Sequence, residues 1–194
     1  MSPRGVAITG VRERLFEAAE RLLAREGTAG LTSRAVTSEA GCAKGILHSH
    51  FDDLDDFVAQ LVVHRLQQVA ETVGDLPARA GRGSVGENLT EAAVVLLDAP
   101  GGPALAALAL TRPGAAARIR DAWQHSASGF DTFEGSLTAY LQAEQRLGRV
   151  PADQDCAALA LAVTGTTHHL LMTTWHDSAD PHERIRQVVR ALLP

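Results

Sequence analysis

A single lysine, Lys44, stands among the chain's 18 Lys and Arg residues. It heads the stretch Ala43-Lys44-Gly45-Ile46-Leu47-His48-Ser49-His50-Phe51, shortly after Thr32-Ser33-Arg34. These side chains share one kind of chemistry. Ammonium, guanidinium, imidazole and hydroxyl groups all donate hydrogen bonds to phosphate oxygens, and Lys and Arg also donate to guanine O6 and N7 in the major groove. Catalytic signatures are missing: no GxSxG, HExxH or CxxC occurs. His168-His169 invites a metal reading, but adjacent helical residues point about 100° apart, whereas paired ligands sit one turn apart on a shared face. No enzymatic activity, metal or cofactor is therefore expected.

Groups of this kind need rigid elements to present them. Leu31 to Ala40 reads as a helix capped by Thr32, with Ala35, Val36 and Ala40 on one side. Gly41 accepts the left-handed conformation that ends a helix, and Gly41-Cys42-Ala43 then makes a three-residue turn into the next one. Ahead of this pair, Val11, Leu15, Ala18, Ala19, Leu22 and Leu23 recur at helical spacing between Thr9 and Glu26. Helix, glycine turn, helix is the outline of a DNA-reading helix-turn-helix, in which the second helix enters the major groove. Any helical corner shares that outline.

More specific is the set Gly30-Leu31-Thr32-Ser33-Arg34, Ala40-Gly41, Lys44-Gly45, Leu47 and His50-Phe51, which resembles the N-terminal domain of the TetR (tetracycline-repressor) family. The resemblance covers roughly the first quarter of the chain. It implies an all-α homodimeric regulator: a helix-turn-helix DNA-binding domain over residues 1–53, and a helical domain over 54–194 that dimerises and holds a small-molecule effector. It further implies that Thr32 caps the second helix and touches phosphate, with Ser33 beside it, and that Arg34 points towards bases. Lys44 and Gly45 would lie at the start of the recognition helix, with His48 at its contact position and His50 near the backbone, and Ala43 and Ser49 belong to the same DNA-binding set.

Three departures from the family pattern bear on that expectation. Ala43 stands where a capping serine is frequent, which leaves the recognition helix dependent on packing by Ile46, Leu47 and Phe51. His48 replaces a frequent tyrosine; an imidazole titrates near neutrality and could make the contact pH-dependent, although a neutral hydrogen-bonding histidine is the reading adopted. Leu54 stands where a phosphate-binding lysine is common, inside the acidic run Asp52-Asp53-Leu54-Asp55-Asp56. Those aspartates suit the N-terminus of a fourth helix but weaken attraction to DNA.

Charge divides along the same line. Residues 1–50 hold seven basic and five acidic groups, a net of +2, which leaves −7 for the remainder of a chain whose total is −5. A DNA-facing end on an acidic body follows from this. With 194 residues, 45% of them hydrophobic and only 4% aromatic, the chain can bury a helical core built from small and medium side chains. Breaks near 74–83, 99–103, 112–114, 148–151 and 177–181 predict helices over 54–73, 84–98, 104–111, 114–147, 153–176 and 181–192, with Gly129 or Gly135 kinking the long one.

The segment from Cys156 to His176 contains no Asp, Glu, Lys or Arg. Its threonines, Gly165 and three histidines argue against a membrane span and for a buried helix in which Leu159, Val163, Leu170, Leu171 and Trp175 pack. With Ile185, Val188, Val189 and Leu192 of the last helix, it resembles the pair that forms a four-helix bundle with a twin subunit in this family. His64, Trp123, Phe130, Tyr140, His168 and Met172 are candidate effector-lining residues, and the aliphatic composition favours an apolar or amphipathic ligand. Cys42 and Cys156 form no evident disulfide framework, so a reducing cytoplasm is expected, with Cys42 a conceivable redox switch. The rival reading is a TetR-like interaction module without sequence-specific DNA binding, motivated by the acidic run and Leu54.

Overall fold

The computed structural model describes residues 10–125, 130–173 and 180–193. Among them every regular element is helical: α1 (Val11–Glu26), α2 (Ser33–Glu39), α3 (Ile46–His50), α4 (Leu54–Gly74), α5 (Val85–Leu97), α6 (Gly102–Thr111), α7 (Pro113–His125), α8 (Phe130–Arg146), α9 (Cys156–Thr173) and α10 (Pro181–Leu192). The all-α class expected from the sequence is the class observed. Gly135 lies inside α8 without interrupting it, while Gly129, Thr9, Trp175 and His176 fall outside the described residues.

Two apolar clusters hold the molecule together, and α4 belongs to both. Its first half packs Phe57, Val58, Leu61 and Val62 with α1, α2, α3, α6 and α7. Its second half gives Val69 and Val73 to a cluster with α5, α8, α9 and α10. Leu66 touches both. The sequence puts a boundary before Leu54, but packing divides inside α4, because Leu105, Leu108, Ala115 and Ile119 of α6 and α7 close the bottom of the N-terminal core. A 21-residue helix shared in this way ties the two clusters together.

The second cluster encloses a polar network. The hydroxyl of Tyr140 donates to Glu144 Oε1 at 2.7 Å and accepts from Asn88 Nδ2 at 2.8 Å, while Glu144 Oε2 accepts the Gly81 amide at 3.1 Å. Arg149 lies 3.5 Å from the same carboxylate. Tyr140 and Glu144 are both fully buried. Burial, reinforced by the neighbouring carboxylate and offset by the Asn88 bond, pushes the phenol up to about 12. A raised value means the neutral phenol is the stabilised form, so its contribution is complete below the unfolded value of about 10 and is lost between there and about 12. Tyr140 is the chain's one tyrosine. Phenolate absorbance should thus titrate near 12 in the native protein and near ~10 in denaturant; a native midpoint near ~10 would remove the network.

Candidate DNA interface and effector cavity

The turn between α2 and α3 forms as its glycine requires. Gly41 has φ of 63°, its amide donates to Ser38 O at 3.1 Å, and the Cys42 amide donates to Thr37 O at 2.8 Å, the paired bonds that close a helix through a left-handed residue. Thr32 Oγ1 accepts from the Ala35 amide at 3.1 Å and caps α2. No side chain caps α3. It runs for only five residues, and Lys44 and Gly45 lie in the turn before it, with the Ile46 amide donating to Ala43 O at 3.0 Å.

Packing replaces the missing cap. Leu47 is fully buried, and Phe51 sits against Phe16 of α1 (5.7 Å between ring centroids) and edge-on to Phe57 of α4 (4.9 Å, 89°). Arg12 lies over the Phe51 ring at 4.6 Å and donates to His50 O at 3.3 Å. The end of α3 is thereby fixed to α1 and α4.

One face is left open. Of the nine residues singled out from the sequence, Thr32, Arg34, Ala43, Lys44, Gly45, His48, Ser49 and His50 are exposed and Ser33 is half-buried. Arg34, Lys44 and His48 make no ion pair or hydrogen bond among the described residues. The arginines of α1 are committed elsewhere. Arg14 donates to Ala40 O at 2.8 Å, and Arg21 and Arg25 pair with Glu39 at 2.9 and 3.0 Å. Those two pairs hold the Glu39 carboxyl below its usual range, Arg21 first. The net of +2 read from sequence therefore overstates the charge offered to a duplex, because most of it fastens α1 to α2.

Three aspartates of the acidic run, Asp53, Asp55 and Asp56, are engaged by amides and arginines, although Asp52 and Asp53 stay exposed. Asp53 accepts from the Asp56 amide at 2.7 Å and Asp56 from the Asp52 amide at 3.0 Å, so the two cap α4 reciprocally. The Asp56 amide, and then Arg118, hold the Asp53 carboxyl low. Asp55 pairs with Arg112 at 2.5 Å and Asp53 with Arg118 at 2.9 Å. Arg112 lies between α6 and α7, and Arg118 lies in the second turn of α7. Gly114 permits the approach, since a Cβ there would overlap the Asp55 carboxylate.

Behind this latch is a cavity of 360 Å³. Val62, Arg65 and Leu66 of α4, Leu105, Ala106 and Ala109 of α6, Ile119, Arg120 and Trp123 of α7, and Leu171 of α9 form much of its wall. Of the six lining candidates, Trp123, Phe130, His168 and Met172 line it, with the His168 ring edge-on to Phe130 at 5.0 Å. The other two stand elsewhere. His64 faces a separate groove beside Arg12 and Glu13, its ring 5.1 Å from Phe16, and the Tyr140 phenol is consumed by Asn88 and Glu144. Arg65 and Arg120 were missed from sequence. Arg65 left a signal, interrupting the apolar stripe Val58, Val62, Leu66, Val69 of α4 at a position that should be apolar.

Both cysteines are unpaired, Cys42 half-buried with Sγ 3.7 Å from Arg14, and Cys156 buried, its thiol pushed up by desolvation. Among the described residues no three His, Cys, Asp or Glu side chains converge as a metal site, and no single helix is long and apolar enough to cross a membrane.

Residues 15–61 match the family described as bacterial regulatory proteins, tetR family. The whole chain is similar in structure to a protein described as a TetR-family transcriptional regulator of Mesorhizobium loti (17% identity, 97% of this chain and 98% of that one, TM-score 0.73). It is also similar to reduced NemR of E. coli (14%, 95% and 97%, 0.71) and to FadR of Bacillus subtilis in complex with stearoyl-CoA (15%, 93% and 97%, 0.65). At these identities the likeness is one of fold. No curated protein sequence matches the chain.

Proposed function

We propose, from the match of residues 15–61 to the tetR family and the fold shared along the whole chain, that the protein is a TetR-like one-component repressor of the cytoplasm. It binds a pseudo-palindromic operator as a homodimer and lets go when a small, largely apolar effector fills the 360 Å³ cavity. One observation carries the reading: α6 and α7, two of the helices that wall the cavity, are latched to the start of α4, at their junction through Asp55–Arg112 and within α7 through Asp53–Arg118. The same turn of α4 follows the recognition helix directly. An effector that spreads α6 and α7 from α4 shifts α3 and spoils the spacing of two recognition helices.

A second copy has a surface to occupy. Ala157, Ala158, Leu161, Gly165 and His169 form an exposed, mostly apolar stripe along α9, with Leu161 58% exposed, while Leu159, Val163 and Leu170 on the other side are buried in the subunit. Small residues let a twin helix approach closely, and the two-fold axis makes the operator symmetric. The rival module without sequence-specific DNA binding drew on the acidic run and on Leu54; of that run, Asp53, Asp55 and Asp56 are engaged in caps and ion pairs.

Asp55→Asn tests the latch. Coupling between effector and operator in such switches is on the order of 1–3 kcal/mol, or roughly 5- to 150-fold in affinity. With an effector found by thermal-shift screening, the variant should lose most of that factor while still binding both. Unchanged coupling in fluorescence-anisotropy titrations would disconnect the latch from release. The overall reading is tested by selecting bound fragments from random duplex DNA. A consensus of two-fold symmetry, with half-site centres roughly 34–36 Å apart, is expected; enrichment without sequence preference would contradict it.

A further inference from the structure

The charged groups in the cavity wall are of one sign. Arg65, Arg120 and His168 are its ionisable lining residues among those described, and no Asp or Glu joins them, although the whole chain carries −5. Arg65 is incompletely used. Its Nη2 pairs with the buried carboxylate of Glu20 on α1 and its Nη1 donates to Gln68 Oε1 at 2.6 Å, but its Nε is buried without any acceptor. A buried guanidinium N–H left unpaired is costly, and because Arg65 lines the cavity, a turn of its side chain would bring Nε–H to an acceptor carried in by a ligand.

Arg120 adds a second cation. It is exposed on α7 and has no ion pair among the described residues. Between these arginines the wall is aliphatic, with Leu66, Leu105 and Ile119, and Trp123 beside them. We propose that the effector is an amphipathic organic anion: an apolar body lying against the aliphatic wall, and a single carboxylate received by Arg65 Nε–H with Arg120 adding attraction. This deepens the effector-release reading and rests on it. The choice of Arg65 also has a consequence for release, because the side chain that meets the anion is the one holding Glu20 of the N-terminal unit.

Three probes of one chain length, octanoate, octan-1-ol and octylamine, separate charge from apolar burial. Calorimetric titration of the purified full-length protein should show octanoate binding roughly tenfold or more tightly than octan-1-ol, the scale of one hydrogen bond to a charged group, with octylamine weakest. Operator release should follow the same order. Arg65→Gln should bring the octanoate-to-octanol ratio to about one while leaving octanol binding in place, and Arg65→Lys, which keeps the charge but lacks Nε–H, should fall between. Should Arg65→Gln fail to fold for want of a partner to Glu20, the double variant Glu20→Gln/Arg65→Gln gives the same ratio without a stranded carboxylate. Equal binding and equal release by octanoate and octanol would overturn the anion and leave the effector reading standing. Binding of octanoate without any release of operator would instead sink that reading, and absence of binding by all three would overturn the anion.

Discussion

Phe51→Ala should destabilise the protein by about 3–5 kcal/mol and abolish operator binding. The residue is 3% exposed and meets rings from α1 and α4. α3 has only five residues and no side-chain cap, so little local energy orders it once that aromatic contact goes. A loss of this size is a large share of the 5–15 kcal/mol typical of a folded domain. It also reaches beyond the N-terminal helices, because α6 and α7 belong to the same cluster. Urea unfolding and operator binding measured on one preparation check the result. Phe51→Leu, which keeps most of the volume, should lose less on both. An alanine variant with a parental unfolding midpoint and parental operator affinity would mean that α3 owes its order to something other than these rings.

The second large effect concerns DNA itself, and its two arms differ in kind. Arg34→Ala should cost about 1–3 kcal/mol at one base position and relax sequence choice there, because a guanidinium over a guanine edge makes two directed hydrogen bonds. Lys44→Ala should weaken all duplexes alike and lower the slope of log affinity against log salt by about 0.9, one counterion's worth. Both side chains are exposed and free of internal ion pairs among the described residues, so neither change should disturb the fold. Titrations against a panel of single-base operator variants at several salt concentrations distinguish them. A uniform loss for Arg34→Ala, with no relaxed position, would reassign it to the phosphate backbone.

What could be read from sequence was what neighbouring residues decide. Thr32 as a cap and Gly41 in the left-handed region need only a few residues on either side, and both stand as expected. The breaks at Pro100-Gly101-Gly102-Pro103 and Arg112-Pro113-Gly114 likewise end helices by local geometry. The late start of α3 follows from the same rules, since Ala43 offers no cap. What sequence hid was pairing at a distance. Asp55 and Arg112 are 57 positions apart, and Glu20 and Arg65 are 45 apart. A count of charges cannot tell an arginine that faces DNA from one that holds a helix, as Arg14 and Arg21 do. Lining residues were partly legible for the same reason. Trp123, Phe130, His168 and Met172 stand out by type, but the aliphatic and cationic remainder of the wall is ordinary in sequence and becomes a site only when six helices meet.

The central claim is that the open face around Arg34 and Lys44, presented twice by a dimer, reads a sequence. It is tested most directly by measuring affinity for a selected operator and for a scrambled duplex of equal length and composition across a salt series. The account predicts a steep salt dependence for both and a separation of roughly a thousandfold or more in favour of the operator, with two subunits bound per duplex. Equal affinity at every salt concentration, or binding by one subunit alone, would contradict it.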